Sequence, residues 1–135
     1  MPEHTTDLTV RSYELDPFDH VNHAVYLNYL EQARWESLAA GGFPASVLKA
    51  QDWAIHVVRL EVEYRKPCFQ DQRLRIRTRT DHFRKTTVTL AQSIFRIDDG
   101  PDADPAVRAL VTTVFMGADG RPMRIPEQAR RALGI

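Results

Sequence analysis

Several things are scarce in this chain, and each scarcity excludes something. Cysteine occurs once, at Cys68, so no internal disulfide forms and no thiolate cluster can hold a metal. No apolar run approaches the roughly 18 residues that span a bilayer. Charge of one sign is missing too: 18 Lys and Arg balance 18 Asp and Glu, for a formal net charge of zero. The global basic excess that drives counterion release from nucleic acids is therefore absent. Low-complexity tracts are also lacking, and 43% hydrophobic with 27% charged residues excludes a disordered tail or a collagen-like repeat. The opening residues, Met1-Pro2-Glu3-His4, are acidic and polar where a secretory signal needs a basic start and an apolar run. The expectation is a cytoplasmic protein of one domain, residues 1–135, long enough to bury roughly two thirds of its unfolded surface.

What is present falls into segments of two periods. Leu8 to Leu15 partly alternates and reads as a strand, ended by the breaker Asp16-Pro17-Phe18-Asp19. From about His23 to Ala40, Tyr26, Tyr29, Leu30, Ala33, Ser37 and Ala40 recur at spacings of three and four, with no Pro or Gly inside. Val25, Leu27 and Leu38 widen that stripe, so this helix is expected to be well buried. Asn22 is its candidate N-cap and Gly41-Gly42 its stop.

The stretch from Trp53 to Met116 reads as sheet. Leu60, Val62 and Tyr64 alternate with Arg59, Glu61, Glu63 and Arg65; Leu74, Ile76, Thr78 and Thr80 alternate with Arg73, Arg75, Arg77 and Arg79. Thr86–Ile97 and Val107–Met116 are further β-rich runs, separated by an acidic loop from Asp98 to Pro105. Such alternation marks an antiparallel sheet with one buried and one wet face. A short helix from Pro126 to Leu133 closes the chain. The economical packing is an α+β domain in which one antiparallel sheet wraps the long helix. Its two free edges call for a partner, and a homo-oligomer is the natural remedy.

Polar residues are densest in Asp16-Pro17-Phe18-Asp19-His20-Val21-Asn22-His23, just before the helix. A helix start offers unpaired N–H groups and a positive dipole end, which suit a developing oxyanion. A carboxylate one turn earlier, Asp16, would then face a carbonyl held there, as general base on water or as nucleophile. The plainer alternative is that Asp16 and Asp19 only satisfy turn amides.

This segment, continued by Tyr26 and by Glu31-Gln32-Ala33-Arg34, resembles the signature of the hotdog-fold acyl-CoA thioesterases, closest to the 4-hydroxybenzoyl-CoA thioesterase-like branch. The resemblance covers nearly the whole chain and implies the hotdog fold, at least a dimer or a tetramer, and hydrolysis of an acyl-CoA to free acid and coenzyme A. It implies Asp16 as the catalytic carboxylate, the backbone N–H of His23 as the oxyanion donor, and Asn22 orienting the turn or the water. It implies no metal and no cofactor. The sequence departs from the pattern at Asp19, which stands where the family usually has Gly; Asp tolerates a left-handed backbone better than most residues.

Other candidates rank lower. Glu31 is the backup acid, because another hotdog branch carries its carboxylate on this helix; it also sits one turn from Arg34 and can pair with it. Asp16, Asp19, His20 and His23 can be drawn as a metal site, although the two His straddle the helix start. Tyr26 is a candidate substrate contact. Arg84 and Lys85, in the turn after the arginine row, are candidates for holding coenzyme A. The row itself, Arg73 to Arg79, is expected to pair across to Glu61 and Glu63. Cys68 has no identifiable base and reads as a buried thiol; His56 carries no role. Two rival activities remain at this point: a hotdog dehydratase or hydratase, whose motif is missing, and an acyl-CoA-binding module without turnover, favoured only by Asp19.

Overall fold

The computed structural model describes residues 3–135; Met1 and Pro2, part of the N-terminal reading, lie outside the described residues. Five strands form one antiparallel sheet: β1 His4–Thr9, β2 Ala54–Tyr64, β3 Arg73–Phe83, β4 Thr87–Arg96 and β5 Val107–Met116. Their order across the sheet is β1-β3-β4-β5-β2. The long helix α1, Val25–Ala40, lies along the concave face, with α2 at Ala45–Ala50 and α3 at Glu127–Leu133 beyond its C-terminal end. The wrapped helix expected from the two periodicities is present. No helix among the described residues is long and apolar enough to cross a membrane.

Alternation sets the faces. Leu74, Ile76, Thr78 and Thr80 of β3 are buried, as are Leu90, Gln92 and Ile94 of β4 and Val107, Ala109, Val111 and Thr113 of β5. From α1 they meet Tyr26, Tyr29, Leu30 and Ala33, all 4% exposed or less. Burying a side chain of this size stabilises by roughly 1.5–3 kcal/mol each. Buried Gln92 is fully used: its amide donates to the Leu30 carbonyl at 2.9 Å and to Thr78 Oγ1 at 3.0 Å, and its oxygen accepts from Arg34 Nη1 at 3.1 Å.

A second cluster, around Leu38, Phe43, Phe115 and Leu133, seats α3 against the end of α1. Gly41 closes α1 there, and a Cβ on it would meet the Ala132 Cα at 2.6 Å. Glycine at this stop is thus required by close approach as well as by helix termination.

Two expectations change. The first strand lies earlier than Leu8 to Leu15, ending at Thr9, because Ser12–Glu14 turns once as a 3-10 helix. Glu14 Oε1 accepts the Arg11 N–H at 2.7 Å and takes the chain out of the sheet. The arginine row pairs with the acids nearest to it, since β3 neighbours β1 and β4 rather than β2. Arg75 grips Asp7 with two bonds of 2.9 Å, while Arg77 faces Glu3 and Arg79 faces Asp81. Asp7 is held below its ordinary carboxylate range by that hydrogen bond to Arg75. Glu61 pairs instead with Arg59 on its own strand, and Glu63 with Arg65 just past the strand end.

β2 is an edge strand, and one extra residue near Val58 shifts its register against β5. Before the bulge Ile55 and Val57 face the helix side, opposite Phe115 and Thr113; after it Leu60, Val62 and Tyr64 do, opposite Val111, Ala109 and Val107. Val57, Leu60 and Tyr64 nevertheless remain 40–49% exposed, because no strand lies beyond them.

Candidate active site

The segment between β1 and α1 folds back on itself. The Asp16 N–H donates to the His20 carbonyl at 2.7 Å, the Asp19 N–H to the Asp16 carbonyl at 3.0 Å, and Leu15 bridges to Val21. Asp16 Oδ1 accepts two amides, Phe18 N–H at 2.9 Å and His20 N–H at 3.1 Å. This fixes the carboxylate and leaves Oδ2 without a partner among the described residues. Asp19 takes φ of 64°, the left-handed conformation that the usual glycine would supply. The feature that favoured a module without turnover is thus accommodated by the backbone.

The loop is docked on both sides. The Val21 N–H donates to the Cys68 carbonyl at 2.9 Å, and the His20 ring packs edge-on against Phe69 at 5.2 Å. Below it, buried Glu14 accepts the Tyr29 hydroxyl at 2.8 Å, and the Glu14 carbonyl accepts the Asn22 N–H at 2.9 Å. Burial, followed by the Glu14 carboxylate, pushes the Tyr29 phenol well above its ordinary range, so it remains a proton donor in that bond.

The N-cap of α1 falls on Ala24 and not on the expected Asn22, because Asn22 holds the turn ahead of the helix: its Oδ1 accepts the Ala24 N–H and its carbonyl accepts the Val25 N–H, each at 2.9 Å. The His23 N–H has no acceptor among the described residues, at the positive end of a 16-residue helix. Asp16, His23, Tyr26, Tyr64, Arg65 and Lys66 line one open cavity of about 270 Å³. In its wall the Tyr26 hydroxyl accepts the Cys68 N–H at 3.2 Å. Burial pushes both the Tyr26 phenol and the Cys68 thiol upward, so neither offers a ready anion.

Three of the expected residues, Asp16, His23 and Tyr26, therefore meet in this cavity, with Asn22 bonded beside them. Arg84 and Lys85 do not: they occupy the β3–β4 turn and are not among its lining residues. β3 begins beside the docked loop at Arg73 and runs for 11 residues, so at about 3.3 Å per residue its far end is roughly 35 Å away. The basic residues at the cavity are Arg65, which the alternation read as part of a solvated strand face, and Lys66, for which the sequence suggested no role. His20 and His23 face different aromatic partners, Phe69 and Tyr64.

Glu31 lies further along α1 with Arg34. Both line a second cavity of about 200 Å³, together with Leu27, Val57 and Leu60. They also border an apolar slot of about 50 Å³ walled by Trp35, Leu38, Ile55 and Phe115. Burial lowers the Arg34 guanidinium from its ordinary range, and Glu31 opposes that shift. Tyr64 is the residue that sequence reasoning missed. It was placed as an alternating β2 residue, and nothing local signals that its hydroxyl donates to the His23 carbonyl at 2.8 Å.

A model of the thioesterase-like superfamily matches residues 10–133 of this chain. The chain belongs to that superfamily, and fold and relatives together define a thioester hydrolase of the hotdog type. It is 30% identical over 131 residues to the chloroplastic acyl-acyl carrier protein thioesterase ATL2 of Arabidopsis thaliana, covering 97% of this chain and 68% of that one. To the long-chain acyl-CoA thioesterase FadM of Escherichia coli it is 32% identical over 109 residues, 81% of this chain and 80% of that one. A probable thioesterase from Bartonella henselae superposes with a TM-score of 0.84 at 25% identity, covering 93% of this chain and all of the other.

The left-handed turn makes a direct stability test. Asp19→Ala is expected to lower unfolding free energy by about 1 kcal/mol, whereas Asp19→Gly leaves it equal or slightly higher. Urea unfolding followed by circular dichroism measures both.

Proposed function

We propose that the protein hydrolyses an acyl-CoA thioester, with Asp16 as general base or nucleophile and the His23 N–H as oxyanion donor. The observation that carries this is one cavity holding a carboxylate pinned through a single oxygen and a helix-start amide with no acceptor. In the first route Asp16 Oδ2 takes a proton from water, whose oxygen bonds to the thioester carbon. The carbonyl electrons move onto the oxygen facing the His23 N–H. Collapse breaks the C–S bond, and the thiolate leaves to be protonated as free coenzyme A. In the second route Oδ2 itself bonds to the carbon, the C–S bond breaks, the thiolate leaves and is protonated, and water then hydrolyses the mixed anhydride.

Thiol release from short, long and aromatic acyl-CoAs, and from an acyl carrier protein thioester, tests the reading. Asp16→Asn keeps an oxygen for the Phe18 and His20 amides, so the loop is retained while turnover falls by about 10²–10⁴-fold. Turnover that survives in Asp16→Asn and is lost in Glu31→Gln transfers the role to Glu31. A single turnover in oxygen-18 water tests the second route, because label in Asp16 arises only when water opens the anhydride at the Asp16 Cγ, a step the first route lacks.

The acyl tail is assigned to the groove along α1. The three cavities adjoin residues 23 to 38 of the chain, about 22 Å at 1.5 Å per residue, and become more apolar away from Asp16. The name of the E. coli relative, a long-chain acyl-CoA thioesterase, supports the same direction. Val57→Trp, which fills the groove midway, is expected to lower kcat/KM for long straight chains by about tenfold or more and to spare the shortest. Equal loss across a chain-length series refutes this placement.

A second copy is assigned to the β2 edge, giving a homodimer or a homotetramer of such dimers. The outer edge of this 11-residue strand, which meets no other strand among the described residues, and the exposed Val57, Leu60 and Tyr64 support this. Sedimentation equilibrium reads the state directly, and a monomer at micromolar concentration refutes it. The buried thiol of Cys68 supports the cytoplasmic placement read from the sequence.

A further inference from the structure

The first turn of α1 leaves one carbonyl outside the helical ladder. In a regular start the His23 carbonyl would accept the Leu27 N–H, but that amide donates to the Ala24 carbonyl at 3.1 Å. The His23 carbonyl is taken instead by the Tyr64 hydroxyl at 2.8 Å, from a strand 41 residues further along the chain. The N–H of the same peptide unit, on Ala24, is taken by Asn22 Oδ1 at 2.9 Å. The peptide between His23 and Ala24 is therefore pinned at both ends by side chains. The preceding peptide is fixed at its carbonyl, which accepts the Val25 N–H at 2.9 Å, and its own N–H is the unclaimed amide of His23.

We propose that Tyr64 is a positioning residue for thioester hydrolysis: by holding the His23 carbonyl it fixes the plane of the neighbouring peptide and aims the His23 N–H at the substrate oxygen. This rests on the reading of His23 as oxyanion donor. The phenol suits the task in three ways. Its ring is located by Tyr26, with centroids 5.6 Å apart, and by the edge-on His23 ring at 6.5 Å. Burial raises its ordinary range further, so it stays a donor throughout the working pH range. Its backbone belongs to β2, whose pairing with β5 runs through Tyr64 opposite Val107 and so ties the helix start to the sheet.

An oxyanion donor contributes mainly in the transition state, so loosening it costs turnover rather than substrate binding. Removing one such donor outright costs about 10²–10³-fold in kcat, and loosening one is expected to cost about tenfold. Tyr64→Phe keeps the ring and deletes only the hydroxyl. Its expected kcat is about tenfold lower, with KM within about twofold of wild type and an unchanged thermal midpoint. Asn22→Ala, which releases the other end of the same peptide, shows the same split, and the double variant loses less than the product of the two single losses. An unchanged kcat in Tyr64→Phe overturns the proposal, as does a rise in KM that accounts for the whole loss, or a loss that follows a lowered midpoint. Asp16→Asn is assayed alongside. If it too keeps full turnover, the reading of the whole site fails; if it is inactive while Tyr64→Phe is not impaired, only the role of Tyr64 fails.

Discussion

Everything in this molecule depends on the seating of α1 in the concave face of the sheet. Tyr26, Tyr29, Leu30 and Ala33 are almost wholly enclosed there, and the contact fixes both the axis of the helix and its starting point. A start held to that tolerance can serve as an anion site, because the unclaimed amide keeps its direction when charge develops. The same residues that pack the core also locate the site. Tyr29 reaches back to buried Glu14, at the root of the carboxylate loop, and Tyr26 reaches across to the Cys68 amide. Packing and chemistry meet on successive turns of one helix.

Asp16 shows how a structural duty leaves a side chain free for the proposed chemistry. The plainer expectation for an aspartate before a proline is that it satisfies turn amides, and one of its oxygens does so twice. That duty leaves the second oxygen in a defined direction, which is what a general base or nucleophile requires. Asp19 makes a related economy, accepting a left-handed backbone so that the loop closes without glycine.

The sheet strands and α1 were legible because burial on one face imprints a period on the chain. β5 falls on Val107–Met116, as the run of Val, Thr and Phe indicated, and α1 starts two residues after the expected His23. Where a local hydrogen bond competes with periodicity, the reading slips, as at Glu14, whose carboxylate ends β1 early. α2 is too short, at six residues, to display a period at all. The site divides the same way. Asp16, Asn22 and His23 lie within one eight-residue segment, so a local pattern reveals them. Arg65, Lys66 and Tyr64 reach the site through sheet pairing. Arg84 and Lys85 offer charge in a turn, but nothing in the sequence tells which end of β3 faces the loop. Long-range placement was the missing information.

The bulge near Val58 gives β2 a phase as well as a length. Ahead of it the odd-numbered residues look toward the helix, and after it the even-numbered ones do. Removing Glu61, past the bulge, would therefore do more than shorten the strand. It would rotate the rest of β2 by half a repeat, sending Val62 and Tyr64 outward and Glu63 toward the helix. Removing the extra residue Val58 would instead leave Leu60 opposite Val111 and Tyr64 opposite Val107, and take away only the bulge. In the acidic loop from Asp98 to Pro105 a change of length resets no strand face, because β5 takes its register from its pairing with β4. Past the bulge of β2 the count itself is inherited, and a change of one residue there alters the molecule more than many substitutions would.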